Sequence, residues 1–438
     1  MKCSDDNLFA AMKYLLFFSL FFSVSVFSQK LTPVADAWAG NSVNAVVFRK
    51  NSIVTHEKTQ FTAFYNQQGK LVLAKRQLNS EKWEISETQY SGNIRDAHNT
   101  ISIMADGDGF LHVSWDHHGH RLNYARSVEP LSLQLSDKMP MTGSHETNVT
   151  YPEFFRMPDG NLIFMYRDGQ SGRGNLVLNS YNTQSQKWSQ LHANLIDGEN
   201  KQNAYWQACV DHKGVIHVSW VWRATWDVST NHSMCYARST DGGRSWEKSN
   251  GENYAMPINA ANAEYALRIP QRSELMNQTS MTTDREGNPF IATYWRDAES
   301  KIPQYRIIYN INGEWKTNNT GFRTTAFSLS GGGTKSIPVS RPQILIKGKG
   351  EKAKVTLIFR DSERGSVVSK ATCCNLQNNV WKITDLTTFS VNAWEPSYDT
   401  ELWRNRGKLH LFVQKVTQVD GEGVAASQPE KCYILNVK

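Results

Sequence analysis

The feature that most constrains the fold is a pair of short alternating apolar runs that recurs seven times along the chain. In each copy a polar or aromatic corner separates the two runs, and a Trp often follows the second run. Apolar residues at every second position predict β-strands that bury one face. One such pair cannot bury its own core, so we expect the copies to stack around an axis as an all-β, seven-bladed β-propeller. The runs are, in order, TQFTAFY and KLVLAKR, FLHVSW and RLNYARS, NLIFMYR and NLVLNSY, VIHVSW and SMCYARS, PFIATYW and QYRIIYN, KVTLIFR and VVSKATC, and KLHLFV and KCYILNV.

The first residues carry a different pattern, which is typical of a secretory signal peptide. Lys13 precedes an apolar run from Leu15 to Ser28 that is too short to span a bilayer comfortably. We predict that residues 1–28 are a cleaved signal peptide, with Met12 as an alternative start, and a membrane anchor is the alternative interpretation. Residues 29–438 then form one propeller domain that is secreted or periplasmic.

Composition limits the partners of such a protein. The formal net charge is +7, and an exported basic protein favours acidic glycans over nucleic acid, for which no Lys/Arg run stands out. We expect a monomer with no membrane span. The six Cys show no disulfide framework, so mostly buried thiols are expected. One repeat offers a set of side chains for a structural zinc ion, to which we do not commit: Cys209, His217, His232 and Cys235.

One turn motif is specific for propellers. Residues 239–246 read STDGGRSW, which matches the S-x-D-x-G-x-x-W pattern of an Asp-box. In that hairpin the Asp caps its own turn, Gly supplies a left-handed backbone and Trp packs beneath. Asp-boxes lie on the outer edge of a propeller, so the motif supports the fold and indicates little about activity.

Asp/Gly turns mark the inner hairpins and so determine which residues lie at their open ends, where the first strand begins and the second ends. Because propeller strands converge around one axis, side chains at these ends should share a central depression. The turns are at residues 106–109, 158–160, 211–214 and 284–287. Residues at or beside the open ends are His98, Asn99, His117, His118, Tyr151, Arg167, Tyr205, Arg223, Arg296, Arg341 and Arg360.

This predicted cluster is rich in cations and phenols and poor in carboxylates. Three nearby aspartates directly follow an arginine and are expected to pair with it, as in Arg167-Asp168, Arg296-Asp297 and Arg360-Asp361. A typical glycosidase needs two carboxylates that face the glycosidic bond, and no such pair stands apart from these units. β-Elimination at a uronic acid fits better, because it needs cations to neutralise the C6 carboxylate, a base for the C5 proton and an acid for the group that leaves C4. His and Tyr suit both proton-transfer roles, and no metal or organic cofactor is required.

Several motifs resemble a known family, the secreted BNR-repeat propellers that include ulvan lyases. The similar segments are AWAGNSVNAVVFR, DAHNTISIMADGDGFLHVSWDHHGH, TYPEFF, MYRDGQSGRGN and TNHSMCYARSTDGGRSW, and the resemblance covers nearly the whole mature chain. The resemblance implies an active site of two His, one Tyr and one Arg, which fall on His98, His118, Tyr151 and Arg167. It implies acid and base roles for His118 and Tyr151, with the division open, and neutralisation of the carboxylate by Arg167 and His98.

The resemblance leaves three activities open. We favour a carbon–oxygen lyase on an ulvan-type polysaccharide or oligosaccharide that eliminates either a sugar chain or water, because similar propellers include both lyases and uronate dehydratases. A rhamnose-releasing glycoside hydrolase and a non-catalytic propeller that binds acidic glycan are the alternatives. Substrate contacts are expected from Asn99, His117, Tyr205, Arg223, Arg296 and Arg360, and residues 321–340 form a loop that would favour action at a chain end if it blocked the groove.

Overall fold

The computed structural model describes residues 29–46, 48 and 51–438. The predicted signal peptide, residues 1–28, lies outside these residues, so export stays a prediction. Within the described part, no helix is long and apolar enough to cross a membrane. The helices there are short: one α-helix, α1 (Thr400–Arg406), and three 3-10 helices, Val228–Thr230, Gly350–Lys352 and Ser362–Arg364.

Nearly all regular structure is β-strand, as the sequence predicts. The first strands are β1 (Lys30–Ala37), β2 (Ile53–His56), β3 (Thr59–Tyr65), β4 (Lys70–Gln77), β5 (Glu84–Ser91), β6 (Ile101–Ala105), β7 (Leu111–Trp115), β8 (His118–His120) and β9 (Tyr124–Arg126). The next are β10 (Val149–Arg156), β11 (Leu162–Gln170), β12 (Arg173–Asn182), β13 (Lys187–Asp197), β14 (Asn203–Val210), β15 (Ile216–Arg223), β16 (Asn231–Ser239) and β17 (Glu264–Leu267). The last are β18 (Ser280–Thr283), β19 (Pro289–Trp295), β20 (Gln304–Ile311), β21 (Glu314–Asn319), β22 (Gln343–Lys347), β23 (Lys354–Arg360), β24 (Val368–Cys373), β25 (Trp381–Asp385), β26 (Ser397–Tyr398), β27 (Leu409–Gln414) and β28 (Glu430–Val437).

These strands form antiparallel meanders that follow chain order. Strands β2–β5, β18–β21 and β22–β25 each form a four-stranded sheet, and β6, β7 and β9 form a three-stranded one. Strands β8 and β10–β17 share one larger sheet, in which a single parallel bridge between Gly174 and Asn203 links β12 to β14. The all-β propeller fold is therefore confirmed, while the predicted number of blades and the single domain over residues 29–438 stay predictions.

All seven pairs of alternating runs form antiparallel strand pairs, namely β3–β4, β7–β9, β11–β12, β15–β16, β19–β20, β23–β24 and β27–β28. Alternation fixes this outcome because a shift of one residue would turn the apolar side chains of a strand to the wrong face. The buried residues form clusters between neighbouring sheets, with large rings such as Trp115 and Trp220 fully enclosed.

The first and last strands of the described chain meet in one sheet. Strand β1 pairs with β28, and β27 and β26 complete the sheet in the order β1-β28-β27-β26. Six residue pairs join β1 to β28, from Lys30 opposite Asn436 to Ala37 opposite Glu430. The first described strand therefore covers the edge that β28 would otherwise expose.

The turns form as their sequences predict. In the Asp-box, Asp241 Oδ1 accepts hydrogen bonds from Ser239 Oγ and from the backbone of Arg244, at 2.8 and 3.0 Å. Trp246 is buried beneath it and donates its indole N–H to Gly243 O at 3.2 Å. In the inner turn before β7, Asp106 Oδ1 accepts from two backbone N–H groups of its own hairpin. The side chain of each Asp thus stabilises its turn by accepting hydrogen bonds from backbone N–H groups of that turn.

The cysteines follow the expectation of mostly buried thiols. Cys235, Cys373 and Cys432 are buried, Cys209 is half-buried and Cys374 is exposed. The adjacent residues Cys373 and Cys374 differ in burial, since Cys373 is the last residue of β24 and Cys374 lies in the bend that follows it.

Candidate active site

The four side chains predicted as catalytic lie together at one end of the propeller. His98, His118, Tyr151 and Arg167 line a cavity of about 340 Å³. The centroids of the two imidazole rings lie 4.0 Å apart with an interplanar angle of 15°. Arg167 Cζ lies 5.0 Å from the centroid of the Tyr151 ring. The predicted gathering of these residues is therefore observed, and their catalytic roles stay a proposal.

His118 reaches the cavity because the chain crosses from one meander to the next. After β7 the backbone turns at Asp116, whose φ is +67°, and enters the short strand β8. Strand β8 pairs with β10 at the edge of the neighbouring meander, with His118 opposite Thr150. This register places the imidazole in the same cavity as Tyr151. Strand β8 therefore brings the end of the hairpin that contains β7 next to the start of the hairpin that contains β10.

Tyr151 occupies an irregular position in β10. The sequence predicts an extended backbone there, because a proline follows at Pro152. That prediction is wrong, since Tyr151 has a φ of +58°, in the left-handed region that a bulky residue rarely adopts. The pairing of β10 with β11 shifts between Thr150 and Glu153, which marks a bulge. A bulge re-aims the side chain that it carries, and strained positions of this kind cluster at functional sites.

Asp96 bridges the two histidines and was not predicted. Its Oδ2 lies 2.6 Å from His118 Nδ1, and its Oδ1 lies 3.0 Å from His98 Nδ1 and accepts the backbone N–H of His98 at 2.9 Å. A second carboxylate, Glu422, lies 2.9 Å from His98 Nδ1. The segment RDAHN contains a sequence signal for the contact with His98, since an Asp two residues before a His can form a hydrogen bond with its ring.

The two histidines carry different charges near neutral pH. Burial lowers the pKa of His98, but hydrogen bonds to Asp96 and Glu422 outweigh it and raise the pKa to about 9. For His118, burial lowers the pKa, and the charges of His98 and Arg167 add to this effect against the opposing hydrogen bond to Asp96. The pKa of Asp96 is also lowered, because its bonds to both histidines outweigh its burial. His98 is thus an imidazolium, while His118 is a neutral imidazole beside an ionised carboxylate.

Two buried arginines in the cavity wall lack a carboxylate partner. Arg167 is 3% exposed, and its Nη2 donates to Thr150 Oγ1 at 3.2 Å. Arg223 donates to Asn231, to the Tyr205 hydroxyl and to Asn277, in the loop before β18, at distances of 2.9 to 3.1 Å. Among the described residues neither guanidinium forms an ion pair with Asp or Glu. A buried charge is costly unless it is paired, so both groups are suited to an anionic ligand.

The expected pairing of each arginine with the aspartate that follows it is wrong. Asp168 lies 3.1 Å from His145 Nδ1, Asp297 pairs with Arg306, and Asp361 lies 2.6 Å from Arg323 Nε. Adjacent residues of a strand point to opposite faces, so an Arg in the wall of the cavity cannot share its side with the next residue. This alternation leaves Arg167 without the partner that the sequence suggests.

Tyr151 and Tyr205 differ in acidity although their ring centroids lie only 6.0 Å apart. Burial raises the pKa of Tyr151, and the neighbouring Tyr205 raises it further. Burial also acts to raise the pKa of Tyr205, but Arg223 and Arg167 outweigh it and lower the pKa below its ordinary value. Tyr205 donates to or accepts from Ser171 Oγ at 3.2 Å and accepts from Arg223 Nη1 at 3.1 Å. Tyr151 is therefore the phenol that keeps its proton.

The six residues expected to contact substrate divide into two groups. Tyr205 and Arg223 line the cavity, whereas Asn99, His117, Arg296 and Arg360 do not. Each of these four bonds within the fold. Asn99 Nδ2 donates to Asn93 O, His117 Nε2 accepts from Asn123 N, Arg296 pairs with Glu274, and Arg360 Nη1 donates to Ile337 O. Their contact with substrate stays a prediction, and in this structure they support the segments around the cavity.

One side of the cavity is covered by three loop segments, which we call the roof: residues 226–228, 331–336 and 420–422. Gly331 N donates to Asp227 Oδ1 at 2.9 Å, and Thr334 N donates to Glu422 Oε1 at 2.8 Å. Lys335 Nζ lies 2.7 Å from Asp420 Oδ2. The loop that the sequence singles out at residues 321–340 therefore does contribute to the cavity wall, together with two segments from other sheets.

The structure does not gather the residues considered for a zinc ion. His217 Nδ1 lies 2.7 Å from the Tyr236 hydroxyl, and His232 Nδ1 lies 3.2 Å from Ser233 Oγ. Within the described residues, three side chains have potential metal-ligand atoms that all lie within 4.8 Å of one another. They are Asp96, His98 and His118. Both imidazole Nδ1 atoms of that group face Asp96 oxygens, which is an arrangement of hydrogen bonds.

The fold and the cavity together define a β-propeller with a central site of histidines, tyrosines and unpaired arginines. The sequence narrows this class of proteins to one family, because residues 59–322 match the profile of the BNR repeat-containing family. The chain belongs to that family.

Individual relatives are more distant. An ulvan lyase, long isoform, of Glaciecola sp. (strain KUL10) is 27% identical over an alignment that covers 24% of this chain and 14% of that protein. Among solved structures, polysaccharide lyase Uly1 superposes with a TM-score of 0.67 at 16% identity, covering 93% of this chain and 99% of that chain. A PL25 ulvan lyase bound to GlcA(1-4)Rha3S superposes with a TM-score of 0.68 at 13% identity, covering 93% and 96% of the two chains. At these identities the similarity establishes a shared fold.

Proposed function

We propose that this protein is a carbon–oxygen lyase that cleaves a uronate-containing polysaccharide or oligosaccharide by β-elimination. The observation that carries the proposal is a pair of buried arginines, Arg167 and Arg223, that have no carboxylate partner in the described structure and line the same cavity as a neutral imidazole. A uronate carboxylate would supply the missing anion. Its neutralisation is also the condition for removing the neighbouring C5 proton.

His118 is suited to act as the general base. Asp96 accepts the Nδ1–H of His118 at 2.6 Å, so the other ring nitrogen, Nε2, keeps its lone pair. The lowered pKa keeps this imidazole unprotonated at neutral pH. A positioned base of this kind contributes roughly 10²–10⁴-fold to a rate.

Tyr151 is suited to act as the general acid. Its raised pKa keeps the phenol protonated, so the hydroxyl has a proton to give to the oxygen that leaves C4. His98, as an imidazolium, and Arg167 would neutralise the carboxylate while negative charge develops on the substrate. Tyr205, with its lowered pKa, is the alternative base within the same cavity.

The relatives support the substrate class. The curated relative is an ulvan lyase, and one structural neighbour is a PL25 ulvan lyase bound to GlcA(1-4)Rha3S. We therefore propose an ulvan-type glycan, in which uronate and sulfated rhamnose give a polyanion. The formal net charge of +7 suits such a ligand.

The leaving group is either a sugar chain or water. The roof favours attack near a chain end, because pinned loops on one side of the cavity restrict passage of a polymer. A terminal uronate could lose water there, which would make the protein an oligosaccharide dehydratase. Both reactions use the same proton transfers and give a 4,5-unsaturated uronate.

The test is to incubate the protein with ulvan and with its saturated oligosaccharides, following ultraviolet absorbance and product masses. A rise in absorbance with chain shortening supports the lyase, and a rise with loss of one water supports the dehydratase. Released rhamnose without a rise would support the glycoside hydrolase, and binding without any change would support a glycan-binding propeller. Either of the last two results would reject the proposal.

Variants connect the activity to the residues. We expect His118→Ala and Tyr151→Phe to abolish turnover while binding is largely kept. The matched controls are His212→Ala, at an exposed turn on the opposite face, and Tyr433→Phe, in strand β28. Full activity in both cavity variants would show that the assignment of the site is wrong.

A further inference from the structure

A second basic site lies away from the candidate active site. A groove of about 480 Å³ runs between the sheet of β22–β25 and the sheet that contains β27 and β28. We call it the lysine groove, after the four lysines Lys347, Lys354, Lys370 and Lys408, with Lys438 also in its lining. Among the residues that the structure describes, no Asp or Glu side chain lines it. The groove thus brings several lysine side chains together.

The four groove lysines have no carboxylate partner among the described residues, whereas several other lysines do. Elsewhere Lys30, Lys248, Lys335 and Lys349 each lie within 3 Å of a carboxylate oxygen. In the described part of the chain, no ion pair involves any of the four groove lysines. Lys347 instead places its Nζ 4.8 Å from the centroid of the Trp403 ring.

Like charges are crowded within the groove. Lys370 is half-buried, and its pKa is lowered first by burial and then by the charges of Lys354 and Lys382. Lys347 and Lys354 are direct partners across β22 and β23. Like charges that face each other across a pair of strands are destabilising, and a bound anion relieves this repulsion. Neutral hydrogen-bond donors, the hydroxyls of Thr356 and Thr372, lie in the same lining.

The groove and the candidate active site are separate. They share no lining residue. Arg341, in the cavity lining, precedes strand β22, and Lys347, in the groove, ends it, so the chain between them spans roughly 20 Å. The groove lies at the turn end of the strands, whereas the cavity lies at the open end. A single monosaccharide cannot contact both sites, but a polymer can.

We infer that the lysine groove is a second binding site for anionic polysaccharide, which holds one segment of a chain while another segment reaches the cavity. The inference rests on the proposed function for the identity of the polymer, ulvan, and on the groove alone for the class of ligand, a sulfated or carboxylated glycan. Holding a chain at a second site raises the effective concentration of its remaining units near the cavity. The groove should therefore lower KM for polymer and leave reactions of short oligosaccharides unchanged.

The experiment compares two triple variants with the same loss of charge. The groove variant is Lys347→Gln/Lys354→Gln/Lys408→Gln, and the control is Lys58→Gln/Lys201→Gln/Lys301→Gln, at exposed positions outside the groove. Unfolding temperatures of both establish that each is folded. Binding to ulvan, dextran sulfate and uncharged dextran is measured by affinity electrophoresis at several salt concentrations, and KM is measured on polymer and on oligosaccharide.

We expect the groove variant to weaken binding of ulvan and of dextran sulfate about tenfold, because it loses charged contacts with the glycan. The dependence of binding on salt concentration should decrease as well. It should raise KM on polymer and leave the reaction of oligosaccharides unchanged, while the control changes neither by more than about twofold. Equal weakening in both variants would overturn the inference, because binding would then follow net charge alone. Binding of dextran sulfate that depends on the groove, in a protein without activity on ulvan, would support the groove and reject the proposed function.

Discussion

At the scale of single residues, the candidate site depends on how one carboxylate holds two imidazoles in different charge states. Asp96 bonds to both His98 and His118, and Glu422 adds a second negative charge beside His98 alone. This asymmetry explains why His98 keeps a proton that His118 lacks. The pair therefore offers a cation and a base within one ring stack, where carboxylate neutralisation and proton removal are both required.

Replacing Asp96 tests this arrangement directly. We expect Asp96→Asn to lower kcat by about 10²-fold, because His118 loses the acceptor that fixes its tautomer and orientation. The pKa of His98, followed by NMR, should fall as well, because one of its two carboxylate partners becomes neutral. Asp108→Asn, at an exposed turn, is the control. Unchanged kcat together with a lower His98 pKa would show that His118 does not depend on Asp96.

The pH dependence of kcat/KM follows from the same charges. Activity requires His98 with its proton, so it should fall as pH rises through about 9, where the imidazolium is lost. Activity also requires His118 without its proton, so the acid limb should lie below the ordinary range of a histidine, because burial lowers its pKa. The titratable groups that face His98 are Asp96, Glu422, the His118 ring and the Tyr151 phenol.

The variant His98→Gln separates the two limbs. It should be less active and should lose the fall at high pH, since glutamine does not titrate. His212→Ala is the control and should keep the whole profile. An alkaline limb that persists in His98→Gln would assign that limb to another group, of which the Tyr151 phenol is the candidate, because loss of its proton removes the proposed general acid.

At the scale of elements, the roof determines how a glycan enters the cavity. Three segments from different sheets meet there and are joined by the bonds of Gly331 to Asp227 and of Lys335 to Asp420. Trp226 stands at the edge of this region with 65% of its surface exposed. An exposed ring beside a cavity that binds sugars is suited to stack on a second sugar unit.

Loosening the roof should change the products. We expect Asp227→Ala/Asp420→Ala to shift action from chain ends toward internal bonds, because the loops lose the carboxylates that pin them. Size-exclusion chromatography should then show a faster fall in polymer length for each double bond formed. The control is Asp108→Ala/Asp137→Ala, which removes the same charge at exposed positions. An unchanged ratio would show that the roof does not select chain ends.

The elements also show why sequence patterns predict some features and miss others. The strand pairs and the gathering of His98 with Arg167 follow from alternation and turn position, which are local. The left-handed backbone of Tyr151 and the contact of Glu422 with His98 depend on neighbouring sheets, so no local pattern indicates them. The four expected contacts that lie outside the cavity have a similar cause. Register places a residue at a hairpin end, but neighbouring side chains decide which way it points.

At the scale of the whole molecule, we expect the stability of the propeller to depend on the pairing of its first described strand with its last. Strand β1 lies on β28, so the sheet that contains β26 and β27 is completed by residues from the start of the described chain. Thr32 and Ala37 are buried in this contact. Closure of the ring holds the sheets around the axis, and with them the hairpin ends that form the cavity.

A chain that begins at Trp38 tests closure of the ring. Without β1, the backbone groups of β28 become an open edge, which promotes association with other chains. The lost ladder contributes on the order of 5 kcal/mol to the free energy of unfolding, at about 1 kcal/mol for each hydrogen bond. We therefore expect a lower unfolding midpoint in denaturant, more aggregate on size-exclusion chromatography and a loss of activity.

The control for this deletion is Lys30→Ala, which removes one surface ion pair of β1 and should keep the midpoint. Addition of a peptide with the sequence of residues 30–37 should restore part of the stability, because it can occupy the same edge. A shortened chain as stable as the full one would show that the sheets hold together without this strand, and the cavity would then depend on contacts between neighbouring sheets alone.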